Sequence, residues 1–175
     1  MSKTELDSHA NMAVGGKHCT VISDSGKTAR VKAFSPDCDT LEDVRIVLIA
    51  LKWHHPHNDE MHILIVKNAL HVPSIANNLM PPFLMREAGV VVNDTPEIHI
   101  EDPGIETHTL WFPEQKVRIP LHLSGIFSCF PTDKPSCHGI DHCEPNNVLD
   151  LSPKGGWNPC NSVCAQNAVN MTDHE

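Results

Sequence analysis

Asp7 stands in the run Leu6-Asp7-Ser8-His9-Ala10-Asn11, a carboxylate preceded by an apolar residue and followed by a hydroxyl and then, one position on, a small residue. Carboxylates can do proton chemistry in pairs: two at hydrogen-bonding distance share one proton, one able to draw a proton from water while the other donates to a carbonyl. A short chain with one loop of this kind needs a second chain to complete the pair. Two further clusters hold ligand-type side chains. His54, His55, His57 and His62, with Asp59 and Glu60, carry donors suited to zinc, copper or nickel, but their spacing matches no closed structural site and reads as a polar loop tip. Cys137-His138 and His142-Cys143, with Cys160 and Cys164, could make a knuckle-like set, yet the first pair is wide and its setting is rich in Pro and Asn. No metal and no other cofactor is therefore expected. His18 beside Cys19 makes a poor base and nucleophile, because neighbours on a strand point to opposite faces.

The elements that must position these residues read as short strands. From Lys17 to Val72 the apolar residues fall in β-branched runs, Thr20 to Ile22, Ala29 to Val31, Val44 to Leu51 and Ile63 to Val66, each bounded by turn residues. Ser23-Asp24-Ser25-Gly26-Lys27 reads as a hairpin turn, since Asp and Gly tolerate positive φ. Trp53 to His62 reads as a second polar loop. Pro81 to Gly89 is the one convincing helix, with Pro in its first turn and Gly at its exit. Short alternating segments at Val90 to Val92, Glu97 to Ile100, Thr107 to Phe112 and Lys116 to Leu123 extend the β content. From Thr132 onward Pro, Asn, Ser, Asp and Gly dominate, which predicts a linker or partly disordered tail over 132–175.

Composition sets the outer bounds. A chain of 175 residues suffices for one domain with a core and is short for two. Fourteen Pro against nine Gly, with no Tyr, suit short strands joined by turns better than a helical bundle. A formal net charge of -9 carries no basic footprint for phosphates, so direct nucleic-acid binding is not expected. No apolar run approaches the ~20 residues of a membrane span, and Met1 to Glu5 lacks the apolar stretch of a signal peptide, so a soluble, cytoplasmic protein with reduced thiols is expected.

A second block extends the reading. Val66-Lys67-Asn68-Ala69-Leu70-His71-Val72-Pro73, then Asn77-Asn78-Leu79-Met80 and a short helix ending at Ala88-Gly89, resembles the protease segment of copia-type retrotransposon polyproteins. In that family a strand reading roughly Asn-Val-Leu-Tyr-Val-Pro leads to Asn-Leu-Leu-Ser and a helix ending in Gly. The order and spacing relative to the Asp loop agree as well. The resemblance implies an all-β fold: a retropepsin-like β-barrel protomer at 1–92 with one short helix, a β-rich extension at 93–131 and a flexible tail at 132–175. It implies a homodimeric aspartic endopeptidase that cleaves its own polyprotein, inside the cell and in virus-like particles. Asp7 would be the catalytic carboxylate of each protomer, Ser8 would bond across to the other loop, and Ala10 would fill the small-residue place. Asn78, Leu79 and Met80 would pass beneath the site, and a flap would come from Val31 to Val44. His9 departs from the family's glycine, placing a Cβ and an imidazole where the backbone would otherwise approach closely. The alternative is an inactive relic, kept as a spacer or dimerisation segment of the polyprotein. Pro120 to Pro135, with Leu121, Leu123, Ile126, Phe127 and Phe130, could then dock on another segment.

Overall fold

A computed structural model describes residues 2–31 and 40–153 of the chain. β1 (Ser2–Leu6) buries Ser2, Thr4 and Leu6 on one face, the period-2 pattern of a strand. β2 (Val14–Gly15) is short, and two long strands follow, β3 (Thr20–Val31) and β4 (Leu41–His54), paired antiparallel. β5 (Met61–His71) returns along β4, and β6 (Asn78–Met80) lies parallel to β1. α1 (Pro82–Glu87) comes next, and the chain leaves it through Gly89 at φ +90. β7 (Val91–Asn93), β8 (Thr109–Phe112) and β9 (Val117–Pro120) form a separate three-stranded sheet. β10 (His122–Ser124) and β11 (Phe127–Thr132) rejoin the first sheet, whose order is β10-β11-β1-β6-β2-β5-β4-β3. α2 (Cys137–Asp141) and β12 (Val148–Asp150) complete the described chain, β12 adding parallel to β5.

The protein is mainly β with two short helices among the described residues. The nine-stranded sheet curls until one isolated bridge joins Lys52 of β4 to Asp133 just after β11, but it stays open and closes no barrel. One apolar core spans both sheets. It includes Leu6, Val47, Leu51, Leu64, Met80 and Met85, and equally Leu110, Phe112, Ile119, Phe130, Leu149 and Leu151. A smaller cluster gathers Met12, Val14, Val44, Ile46, Leu70 and Val72. Among the described residues no helix is long and apolar enough to cross a membrane.

Five local expectations change, the first at Glu97 to Ile100, where Glu97–His99 forms a 3-10 turn instead of a strand. Ser23 to Lys27 forms no hairpin turn; it is a bulged stretch inside β3, with a register shift between Asp24 and Thr28. Its turn chemistry is spent locally: Asp24 Oδ1 accepts from the Gly26 N–H at 2.8 Å, and the Ser25 hydroxyl donates to the Ile46 carbonyl at 2.6 Å. His62 leaves the polar loop and is buried in β5, its ring 5.2 Å from that of Trp53. Lys116 to Leu123 divides between two sheets, β9 in the small one and β10 in the large one. Residues 133–153, inside the stretch read as a linker or partly disordered tail, carry α2 and β12, with Leu149 and Leu151 fully buried. Scattered single aliphatics suffice there because β5 supplies a free edge and a ready apolar face. Residues 154–175, with Cys160 and Cys164, and residues 32–39, within the stretch expected to supply the flap, lie outside the described residues.

Candidate active site

β1 delivers Asp7, and β6 lies under it. Leu6 pairs with Met80 across the parallel ladder, and the Asp7 N–H donates to the Met80 carbonyl at 3.0 Å. Asp7 then shapes its own loop: its Oδ1 accepts from the His9 N–H at 2.9 Å, and its carbonyl accepts from the Ala10 N–H at 3.3 Å. Asp7 and Ala10 are half-buried, while Ser8 and His9 are exposed. His9 does not adopt a left-handed backbone, so a side chain stands there without the strain that would demand glycine. Its amide still reaches the carboxylate.

A buried polar network fixes β6 beneath the loop. The Asn78 amide donates from Nδ2 to the Thr4 hydroxyl at 3.2 Å, and its Oδ1 accepts from the Gly16 N–H at 2.9 Å. Thr4 meets the Thr132 hydroxyl at 2.8 Å, and the Ser2 hydroxyl donates to the Thr132 carbonyl. Asn78 and Met80 are buried and Leu79 is half-buried. β1 is thereby tied to β6, β11 and the Gly15-Gly16 turn together. Gly16 has to be glycine, because a Cβ there would lie 2.6 Å from the Ile75 carbonyl oxygen. The Gly15-Gly16 pair is the one trace this network leaves in the sequence; the burial of the Ser2 and Thr4 hydroxyls shows only in the structure.

Asp7 opens into a cavity of about 340 Å³, lined also by Leu6, Ser8, His9 and Pro82 and, from the far side, by Asp94, Ile126, Phe127 and Ser128. The second group comes from segments that the sequence did not connect with Asp7. Asp94 is bound by Arg86 at 3.4 Å. Its carbonyl accepts from the Ser128 hydroxyl at 3.2 Å, and Ser128 also meets His108 Nε2 at 2.8 Å. Burial pushes the His108 pKa down, partly offset by the Asp94 carboxylate.

The competing clusters are placed as follows. His54 faces Asp59 at 3.5 Å, and the His55 ring meets those of Trp53, His57 and His62, with His62 also against Trp53, in edge-on or tilted arrangements. His138 stacks on His142 with centroids 4.0 Å apart. Among the described residues no three His, Cys, Asp or Glu side chains are grouped to hold a metal ion. Cys19 is buried, donates to the Gly16 carbonyl at 3.1 Å and has its thiol pKa pushed up by burial, the opposite of an activated nucleophile. No known family, characterised protein or solved structure matches the chain.

Proposed function

We propose that this chain is the aspartic-protease segment of a copia-type retrotransposon polyprotein, with a retropepsin-like fold, and that it acts as a homodimer contributing one Asp7 per protomer. The observation that carries the reading is the hydrogen bond from the Asp7 N–H to the Met80 carbonyl. It joins the two sequence blocks, Leu6 to Ala10 and Asn78 to Met80, through a parallel strand pair that leads directly into α1. The catalytic cycle follows from two carboxylates sharing a proton. The ionised Asp7 takes a proton from water as its oxygen attacks the peptide carbonyl carbon, and the protonated Asp7 of the partner donates to the carbonyl oxygen. Collapse of the tetrahedral intermediate breaks the C–N bond, and the amine leaves with a proton returned from the pair. The His9 amide, bonded to Asp7 Oδ1, holds the carboxylate in place through the exchange. Extended polyprotein segments are the substrate class, bound by strand-like pairing.

The test is cleavage of a co-expressed polyprotein fragment by the wild type and by Asp7→Asn, with the oligomeric state of each measured. Cleavage by the wild type that disappears in a variant that still dimerises establishes the assignment. Absence of cleavage by either, with dimers intact, assigns the chain instead to a spacer or dimerisation segment.

A further inference from the structure

We infer that His108 is a positioning residue of the Asp7 cavity: acting through the Ser128 hydroxyl, it clasps both ends of the 94–108 connection to β11 and so fixes the cavity's far wall. The inference rests on the reading of Asp7 as a catalytic carboxylate, and it names what holds the other side of that site. The connection 94–108 runs from the end of β7 to the start of β8, in the small sheet. Ser128 stands on β11, in the large one. Its hydroxyl donates to the carbonyl of Asp94, the first residue of the connection, at 3.2 Å. The same hydroxyl meets Nε2 of His108, the last residue, at 2.8 Å. Both ends of one long connection thus converge on a single buried side chain.

The Ser128 proton goes to the Asp94 carbonyl, so the imidazole must donate to the hydroxyl from Nε2. Burial favours the uncharged ring and His122 adds to this, while the Asp94 and Glu97 carboxylates oppose it. His108 is held from its backbone as well, because its carbonyl accepts from the Leu121 N–H at 2.9 Å. Its φ of +54 lies in the left-handed region, where a side chain other than glycine persists only when its surroundings over-determine it. Asn93 and Thr109 close the base of the connection, both donating to the Glu106 carbonyl, at 2.9 and 2.8 Å. Farther out, Ile98 and Ile105 are 80 % and 81 % exposed, so the packing of those side chains does not fix the connection. Arg86 holds the Asp94 carboxylate from α1, which leaves the carbonyl of the same residue to Ser128. Asp94 and Ser128 line the cavity with Asp7. Releasing them shifts the wall without touching the bonds of Asp7 to Met80 and His9, so the loss falls on substrate binding and not on proton transfer.

The experiment is hydrogen exchange read by mass spectrometry on the full chain, with steady-state cleavage of a purified polyprotein fragment measured on the same samples. His108→Ala and Ser128→Ala remove the clasp, and His108→Gln keeps an N–H donor near the place of Nε2. Amides of 94–108 are expected to exchange about tenfold or more faster in the two alanine variants, while β4 and β5 exchange as in the wild type and His108→Gln follows the wild type throughout. KM should rise about tenfold in the alanine variants with kcat within about twofold, and His108→Gln should restore it. Unchanged exchange at 94–108 in His108→Ala, or exchange that quickens over the whole chain, overturns the clasp. Faster exchange there with an unmoved KM overturns the positioning role. The two readings fail separately. Asp7-dependent cleavage with exchange insensitive to His108 keeps the protease and removes the clasp, and clasp-dependent exchange with no Asp7-dependent cleavage keeps the clasp and removes the protease with its positioning residue.

Discussion

Asn78 does more for the site than its neighbours in sequence suggest, because both ends of its amide are used within a buried setting: Nδ2 on Thr4 and Oδ1 on the Gly16 N–H. Replacing it with an isosteric apolar residue strands a backbone donor and a hydroxyl together. Asn78→Leu is expected to lose about 2–4 kcal/mol of stability, one to two unsatisfied buried groups' worth, read as a lowered denaturant midpoint at constant slope. Asn78→Asp keeps the acceptor for Gly16 but loses the donor to Thr4, so it should fall between. That Asn78 to Met80 lie beside the Asp7 loop was expected from the resemblance alone. Asp94, Ser128 and His108 were not expected there, because each is an ordinary polar residue in its own stretch and becomes part of the cavity only when β11 pairs with β1.

Elements decided where the sequence misled. Turn residues at Ser23 to Lys27 have the chemistry of a hairpin, and the same chemistry serves a bulge when the strands on either side pair with one long partner, β4. Helix α1 was legible because its signals, Pro at the start and Gly at the exit, act within the helix itself. β12 was not, since three residues have no signal of their own and gain a strand conformation only from the edge of β5. Its attachment is strong: Lys67 pairs with Asp150 at 3.2 Å, the Lys67 N–H donates to the Ser152 hydroxyl at 3.0 Å, and the Leu151 N–H donates to the Ile65 carbonyl at 2.9 Å. Leu149→Ala should therefore cost about 2–5 kcal/mol, the range for a buried leucine, where a linker residue would cost nothing measurable. Urea unfolding of the two proteins side by side decides between them.

At the scale of the molecule, three histidines among the described residues, from different strands and loops, share one condition. His62, His71 and His108 all have lowered pKa values, with burial the leading cause in each; Arg45 adds to it at His71. The unfolded chain then binds protons in a range where the folded one does not, so stability rises with pH there. Their contribution is whole above the ordinary imidazole pKa of about 6.5 and is lost as pH falls from there through the lowered folded values. The melting temperature is expected to drop between about pH 7 and pH 5, with a shallower slope in His62→Gln. A carboxylate pair sharing a proton works on the acid side, with a bell-shaped profile whose pKa values belong to the pair. Under the proposed protease reading, cleavage is expected to fall together with the fold as pH drops, and cleavage and circular dichroism recorded at the same pH values check this.

The sequence by itself determined the mainly β character, the short helix before Gly89 and the polar loop at the β4–β5 turn, since each depends on side chains within a few positions of one another. Tertiary structure alone decided that β10, β11 and β12 belong to the same body as β1 and β5, that His62 is buried, and that Asp94, Ile126, Phe127 and Ser128 line the cavity with Asp7. Those outcomes depend on strand pairing between residues up to 130 positions apart, as with Ser2 and Thr132, and no local pattern encodes which edge a distant strand will find.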